Sequence, residues 1–592
     1  MQISIRKTFI AQHIVSNRHC IDGYGACCPE DIPMALFLSI FPIILLIWLM
    51  VKKNSMPSYI ALPITAALIY VIKLFYFGDN AMLLNATAAS GLVSTLTPIT
   101  VIFGAIMFNR MMETTGCIDV IRKWLATISP NPIAQLMIIG WSFAFMIEGA
   151  SGFGTPAAIA APILMSLGFN PLKVAIFTLV MNSVPVSFGA VGTPTWFGFA
   201  PLGLDQKSIM EIGMQTGVMH FFAGFIIPVI GLSFIVPWAE IRKNLGFIGI
   251  AVFSCTLPYV ALAMVNEEFP SLVAGAIGLM VSVFAANRGW GLSKDYAKDP
   301  NAEKVPFAQV AKALAPLGML IGMLVITRIK QLGIKGLLTS KEEWFSFQLP
   351  FDLSKITVSD SLTITFGNIF GQGVNASYQT LYVPAWIPFV FTVWICILLY
   401  KTKFKDAWSF YAATFNQTKK PLLALMGALI MVQLMMVGGD DSMVKIIGKE
   451  FAAMAGEHWV YFSPYLGAIG AFFSGSNTVS NLTFGPIQQQ IALDTGLSVT
   501  LILALQSVGG AMGNMVCINN IIAVCSVLNV NNAEGAIIKK TVIPMSIYGV
   551  IAVTIASIFF SQLSTHKGAA ERGRGGPGPL FCILLLYFLK NH

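Results

Sequence analysis

Residues 144–166 read "AFMIEGASGFGTPAAIAAPILMS". An apolar run is interrupted midway by an acid, Glu148, then by Gly149, Gly152 and Gly154, two hydroxyls and a proline. Glycine and proline both break helices. In a lipid bilayer, irregular backbone survives only where it is buried in protein or lines a cavity. The stretch is therefore expected to be the tip of a re-entrant hairpin over 133–166, not a defective span. A second region, 459–493, is built alike: its apolar run is broken by "SGSNTVSN" at Ser474–Asn481.

The surrounding chain supports this reading. Of 592 residues, 56% are hydrophobic and 11% charged, and the mean hydropathy is +0.75. Soluble domains carry about 25% charged residues. The composition implies an all-α polytopic membrane protein embedded in the lipid bilayer. About twelve full spans are expected, near 33–51, 58–77, 81–109, 171–190, 213–237, 247–265, 270–286, 309–327, 383–400, 421–439, 497–516 and 541–562, each near the ~20 residues that cross a bilayer. Residues 117–129 and 406–418 read as interfacial amphipathic helices, and 328–382 as an external excursion with "TITFGNIF" as a strand.

Charge sets the orientation. With the N-terminus outside, Lys52, Lys53, Arg110, Arg122, Lys123, Arg242, Lys243, Arg288, Lys401, Lys403, Lys419, Lys420, Lys539 and Lys540 fall inside, as the positive-inside rule requires. Arg6, Lys7 and Arg18 oppose it. The first hairpin then enters from the cytoplasm and the second from outside, the pattern of two inverted repeats in secondary transporters. The expected divisions are an atypical N-terminal extension 1–32, a first transmembrane half 33–327, the excursion 328–382, a second half 383–562 and an atypical tail 563–592. No function is assigned to either end.

The net charge of +9 marks cytoplasmic loops, not nucleic acid. Nine scattered cysteines form no metal or disulfide framework, and no cofactor motif is visible. "GASGFG" follows no strand and lacks the GxGxxG spacing of a nucleotide loop. Phe153 stands where a nucleophile elbow needs glycine. An enzyme is not expected.

Ionisable groups within spans are functional candidates by default. Glu148 and His220 are the proton-coupling candidates. Burying a carboxylate costs several kcal/mol, so a carboxyl there readily holds a proton. The competing readings are structural: Glu148 capping the amides of its tip, His220 bonded between helices. Asp440 and Asp441 read as a solvated helix end. No Arg or Lys falls at a predicted span centre. An anion would therefore rely on backbone N–H groups at half-helix N-termini, on the close approach that Gly149, Gly152 and Gly154 permit, and on Ser151, Thr155, Ser476, Asn477, Thr478 and Asn481. Close helix packing is the alternative role for the small residues.

Three runs carry a family resemblance: "MIEGASGFGTPAAIAAPILMSLGFNPLKVA", "NSVPVSFGAVGTPTWFG" and "GAFFSGSNTVSNLTFGPIQQQIA". Over roughly 33–562 the chain resembles the bacterial L-lactate permease family. The resemblance implies uptake of a small 2-hydroxycarboxylate, lactate or glycolate, across the plasma membrane by proton symport. Ser476-Asn477-Thr478 also resembles the hairpin-tip triplet of divalent-anion/sodium symporters, whose architecture has paired hairpins. The first hairpin has Glu148-Gly149-Ala150-Ser151 instead, which favours a proton carrier. A sodium-coupled carboxylate symporter and a small-anion channel remain the alternatives.

Overall fold

The computed structural model describes residues 32–51, 56–152, 155–296, 305–328, 333–338, 340, 342–381, 386–530 and 533–560. Eleven helices among them are long and apolar enough to cross a membrane, or twelve if the bent pair 171–181 and 184–202 is one span.

The first part of the chain is α1 (Ile32–Val51), α2 (Ser58–Phe75), the 34-residue α3 (Ala81–Thr114) and the short amphipathic α4 (Cys117–Thr127). The first hairpin follows. Its outgoing arm, α5 (Pro132–Ser151), is almost wholly buried. Asn131 starts it by accepting from the amides of Ile133 and Ala134, with Pro132 in the first turn, a position where proline costs no hydrogen bond. Residues Leu136–Phe143 widen into π-helix, and Gly152 ends the arm at φ +60°. The returning arm α6 (Thr155–Ser166) folds back against α5. Gly149 and Gly275 let α5 approach the later helix Pro270–Arg288 closely, since a Cβ at either glycine would strike the other helix's backbone.

Next comes a broken segment: α7 (Pro171–Met181), a 3-10 turn over Val184–Phe188 and α8 (Gly189–Trp196). It leads into α9 (Gln206–Ser233), α10 (Trp238–Lys243), α11 (Leu245–Ala263) and α12 (Pro270–Arg288). After α13 (Phe307–Arg328) and α14 (Ile334–Leu338) the excursion forms a four-stranded antiparallel sheet in the order β1-β2-β3-β4. The strands are β1 (Glu343–Gln348), β2 (Lys355–Ser359), β3 (Thr363–Ile369) and β4 (Val374–Gln379). The expected strand is β3; the other three were not expected, although Phe345/Phe347, Ile356/Val358 and Val374/Ala376/Tyr378 alternate.

The second part contains α15 (Trp386–Leu399), α16 (Phe404–Met436) and α17 (Met443–Ala455). Then comes the second hairpin, α18 (Trp459–Ser474) and α19 (Asn477–Thr495). A second broken segment follows: α20 (Val499–Gly513), a 3-10 turn over Asn514–Val516, and α21 (Ile518–Leu528). The last described helix is α22 (Glu534–Phe560). The order hairpin then broken segment thus occurs in both halves.

Two expected spans differ in detail. Within 383–400 the described helix is α15, 14 residues from Trp386, and the start of that expected span lies outside the described residues. The expected interfacial helix 406–418 and span 421–439 are one continuous helix, α16, with Pro421 inside it. The region 171–190 is broken from Asn182 onward.

Candidate functional site

The two hairpin tips meet. Glu148, Gly152, Val186, Gly189, Ala190 and Pro194 from the first half face Gly475, Ser476, Asn477, Thr478 and Asn514 from the second, around a narrow cavity of about 20 Å³. Both broken segments contribute to its wall.

Glu148 is 2% exposed. Asn182, at the C-terminal end of α7, donates to its Oε2 at 3.1 Å. Gly189 lies flush against Oε1, so a Cβ there would overlap the carboxylate. On the far wall Ser476 caps α19, its Oγ accepting from the Val479 amide at 3.3 Å. The first amides of α19, at Asn477 and Thr478, have no intrahelical acceptor, as at any helix start. They carry the positive end of the helix dipole. Among the described residues the lining contains no Lys, Arg or His.

The first broken segment is held open by side chains that accept the work of a missing helix ladder. Tyr259 donates to the Val184 carbonyl (3.0 Å), Ser271 to Pro185 (2.5 Å), Thr195 to Ser187 (2.8 Å), Trp196 to Val191 (2.9 Å) and Asn481 to Pro194 (3.0 Å). Buried carbonyls need such partners. Ala190, Val191 and Gly192 all have positive φ, at 44°, 55° and 71°. A β-branched residue there is a genuine outlier, and such strain clusters at functional sites.

Ser187 joins the halves. Its hydroxyl contacts Ser507 Oγ (3.1 Å), the Ser507 carbonyl (3.2 Å), Asn477 Nδ2 (3.4 Å) and His220 Nε2 (2.8 Å). His220 Nδ1 bonds the Tyr548 hydroxyl. Below it, Gln506 Nε2 donates to Ser480 Oγ (3.0 Å) and Asn481 Oδ1 (3.4 Å), while its Oε1 accepts from Gln488 (3.0 Å).

The expected residues therefore separate. Glu148, Gly152, Ser476, Asn477 and Thr478 come together at the cavity. Gly149 packs on α12 instead. Ser151 donates to the Ile147 carbonyl of its own helix (3.0 Å). Asn481 lies a turn deeper, on Pro194. Gly154 lies outside the described residues, and only the backbone of Thr155 is described. His220 is fully buried behind the Val184–Phe188 turn and does not line the cavity. Asp440 is exposed and paired with Lys445 (2.5 Å), which holds its carboxyl below the usual range. Asn182, Ser187, Gln506 and Ser507 were not singled out. For Asn182, Gln506 and Ser507 the signal was the pairs "NS" and "QS" opening the small-residue run after each hairpin, whereas Ser187 lies five residues past Asn182 in "VPVSFG".

Comparison with known sequences identifies the family. The sequence model of the L-lactate permease family matches residues 35–563. A Haemophilus influenzae protein named "Putative L-lactate permease" is 57% identical over 90% of this chain and 99% of its own length. The Bacillus subtilis L-lactate permease is 27% identical over 86% of this chain and 93% of its own. The Escherichia coli glycolate permease GlcA is 24% identical over the same shares of both. These relatives are permeases, not enzymes. The helices that carry the two tips belong to a multi-pass protein of the bacterial plasma membrane, and the chain is a member of the L-lactate permease family.

Proposed function

We propose that this protein takes up L-lactate, with D-lactate and glycolate as further substrates, by proton symport and alternating access. The observation that carries the reading is the opposition of Glu148 to the start of α19 across one cavity. The substrate carboxylate is held by the amides of Asn477 and Thr478, where helix-dipole charge favours an anion. The substrate hydroxyl bonds the polar wall between Ser476 and Asn514.

A charged Glu148 would repel a carboxylate in so small a space. A proton on Glu148 removes the repulsion and turns the group into a donor. Proton and substrate therefore load together, and neither crosses alone. His220, bonded to Ser187 and Tyr548, positions the segment beside Glu148 instead of carrying the proton.

The test is uptake of radiolabelled lactate into proteoliposomes under imposed pH and sodium gradients, applied separately. An outside-acid gradient is expected to drive accumulation, and a sodium gradient at fixed pH to leave it unchanged. Glu148→Gln should abolish the response to the pH gradient. Full pH-driven uptake in that variant would remove the coupling role.

A further inference from the structure

The sheet lies at an unexpected depth. β4 and the end of β3 pack along one stripe of α3: Ala86, Ala89 and Val93 meet Ile369, Val374 and Ala376. Ser90 donates to the Asn375 carbonyl (3.4 Å), and Thr100 bonds the Tyr378 hydroxyl (2.9 Å). Small residues allow this approach. The same part of α3 runs beside membrane helices. Tyr70 of α2 bonds Asn85 (2.8 Å). Gly91 rests on Ile430 of α16, while Gly427, three residues away on α16, rests on Pro63 of α2. Three residues of helix rise about 4.5 Å. Ser90 and its strand partner thus sit level with the middle of α2, not beyond its end.

A sheet cannot meet lipid at that depth. Its free edge presents unpaired N–H and C=O groups, each costing several kcal/mol in hydrocarbon. Among the described residues β1 pairs only with β2, and all six of its residues are exposed. Lys355, Asp360, Asn368 and Asn375 are exposed too, so part of the sheet faces water. Water at membrane depth needs a wall. The far edge is apolar: Trp344, Phe345, Phe347 and Phe351 are all exposed, Phe351 at 95%. An aromatic edge beside a wet face is the pattern of a surface that another protein covers.

We propose that β1 is the contact edge between two copies of this chain, and that the sheets of both copies wall a water-filled vestibule beside α3. A second copy fits because an antiparallel strand pair is self-complementary under a two-fold axis. "EWFSFQ" carries its acid, Glu343, at one end only. Antiparallel self-pairing sets that end against the uncharged Gln348 end, so like charges do not meet. Edge strands left long and apolar otherwise invite indiscriminate pairing.

The experiment places single cysteines at Phe345 or Ser346, in a background without the native cysteines, and oxidises native membranes. The one of the two that lies on the two-fold axis faces its own copy and is expected to give a disulfide-linked band at twice 64.0 kDa. Leu493→Cys, exposed on α19, is expected to give none. In parallel, light scattering should find two chains per solubilised particle of the unaltered protein, and one for Trp344→Asp/Phe347→Asp. One chain per particle in the unaltered protein, or β1 cysteines labelled by a lipid-dissolved photoprobe and never cross-linked, would overturn the proposal.

Discussion

The Asn182 amide donates to Glu148 Oε2 at 3.1 Å, while the same residue's Oδ1 is buried with no partner among the described residues. The amide therefore serves the carboxyl at its own expense. Hydrogen bonds to charged groups are worth about 1.5–3 kcal/mol. Asn182→Ala is expected to lower pH-driven lactate uptake at least tenfold in proteoliposomes, at unchanged amounts of folded protein. Asn182→Ser, which retains a donor, should recover part of the loss.

Two glycines are fixed by what lies against them. A methyl at Gly189 overlaps Glu148 Oε1, and one at Gly510 overlaps Asn477 Oδ1. Overpacking costs about 1–3 kcal/mol. Gly189→Ala and Gly510→Ala should each impair uptake more than they lower the melting temperature in detergent. Gly318→Ala, which meets open space, should do neither.

The left-handed run at Ala190 and Val191 gives a prediction of opposite sign. A left-handed residue with a Cβ costs roughly 1–2 kcal/mol. Ala190→Gly relieves that and is expected to raise or preserve thermal stability. Ala190→Val adds strain beside Gly152, whose own Cβ would meet Ala190, and should lower stability. A melting curve of both variants checks the order.

Lys73, in the last turn of α2, is wholly buried, bridging Asp79 (2.9 Å) and the Val437 carbonyl (2.9 Å). This ties α2 to the end of α16. Breaking a buried pair by removing one partner costs about 3–5 kcal/mol. Lys73→Met should be severely destabilised, and Lys73→Met/Asp79→Asn less so, measured as half-life at elevated temperature. Equal losses in the single and double variants would show that the ion pair contributes nothing.

The sequence made the hairpins legible because a bilayer punishes irregular backbone: Glu148–Gly154 and Ser474–Asn481 stood out against apolar arms. Glu148 was found for the same reason. The Ser187–Ser507 contact was not legible. It joins residues 320 positions apart, each an ordinary serine locally. Ser151 misled because its neighbours line the cavity, yet its hydroxyl turns to the Ile147 carbonyl. Three of the four strands were missed although each alternates, because runs of five or six residues set among polar ones are short signals.

Among the described residues the cavity lining carries no Lys, Arg or His. A carrier must let its cargo go once in every cycle, and each 1.4 kcal/mol of extra grip lengthens the wait about tenfold. A full cation in a dry site would grip a carboxylate hard. The first amides of α19 offer only about half a charge, shared along a helix end. A site built this way trades affinity for turnover.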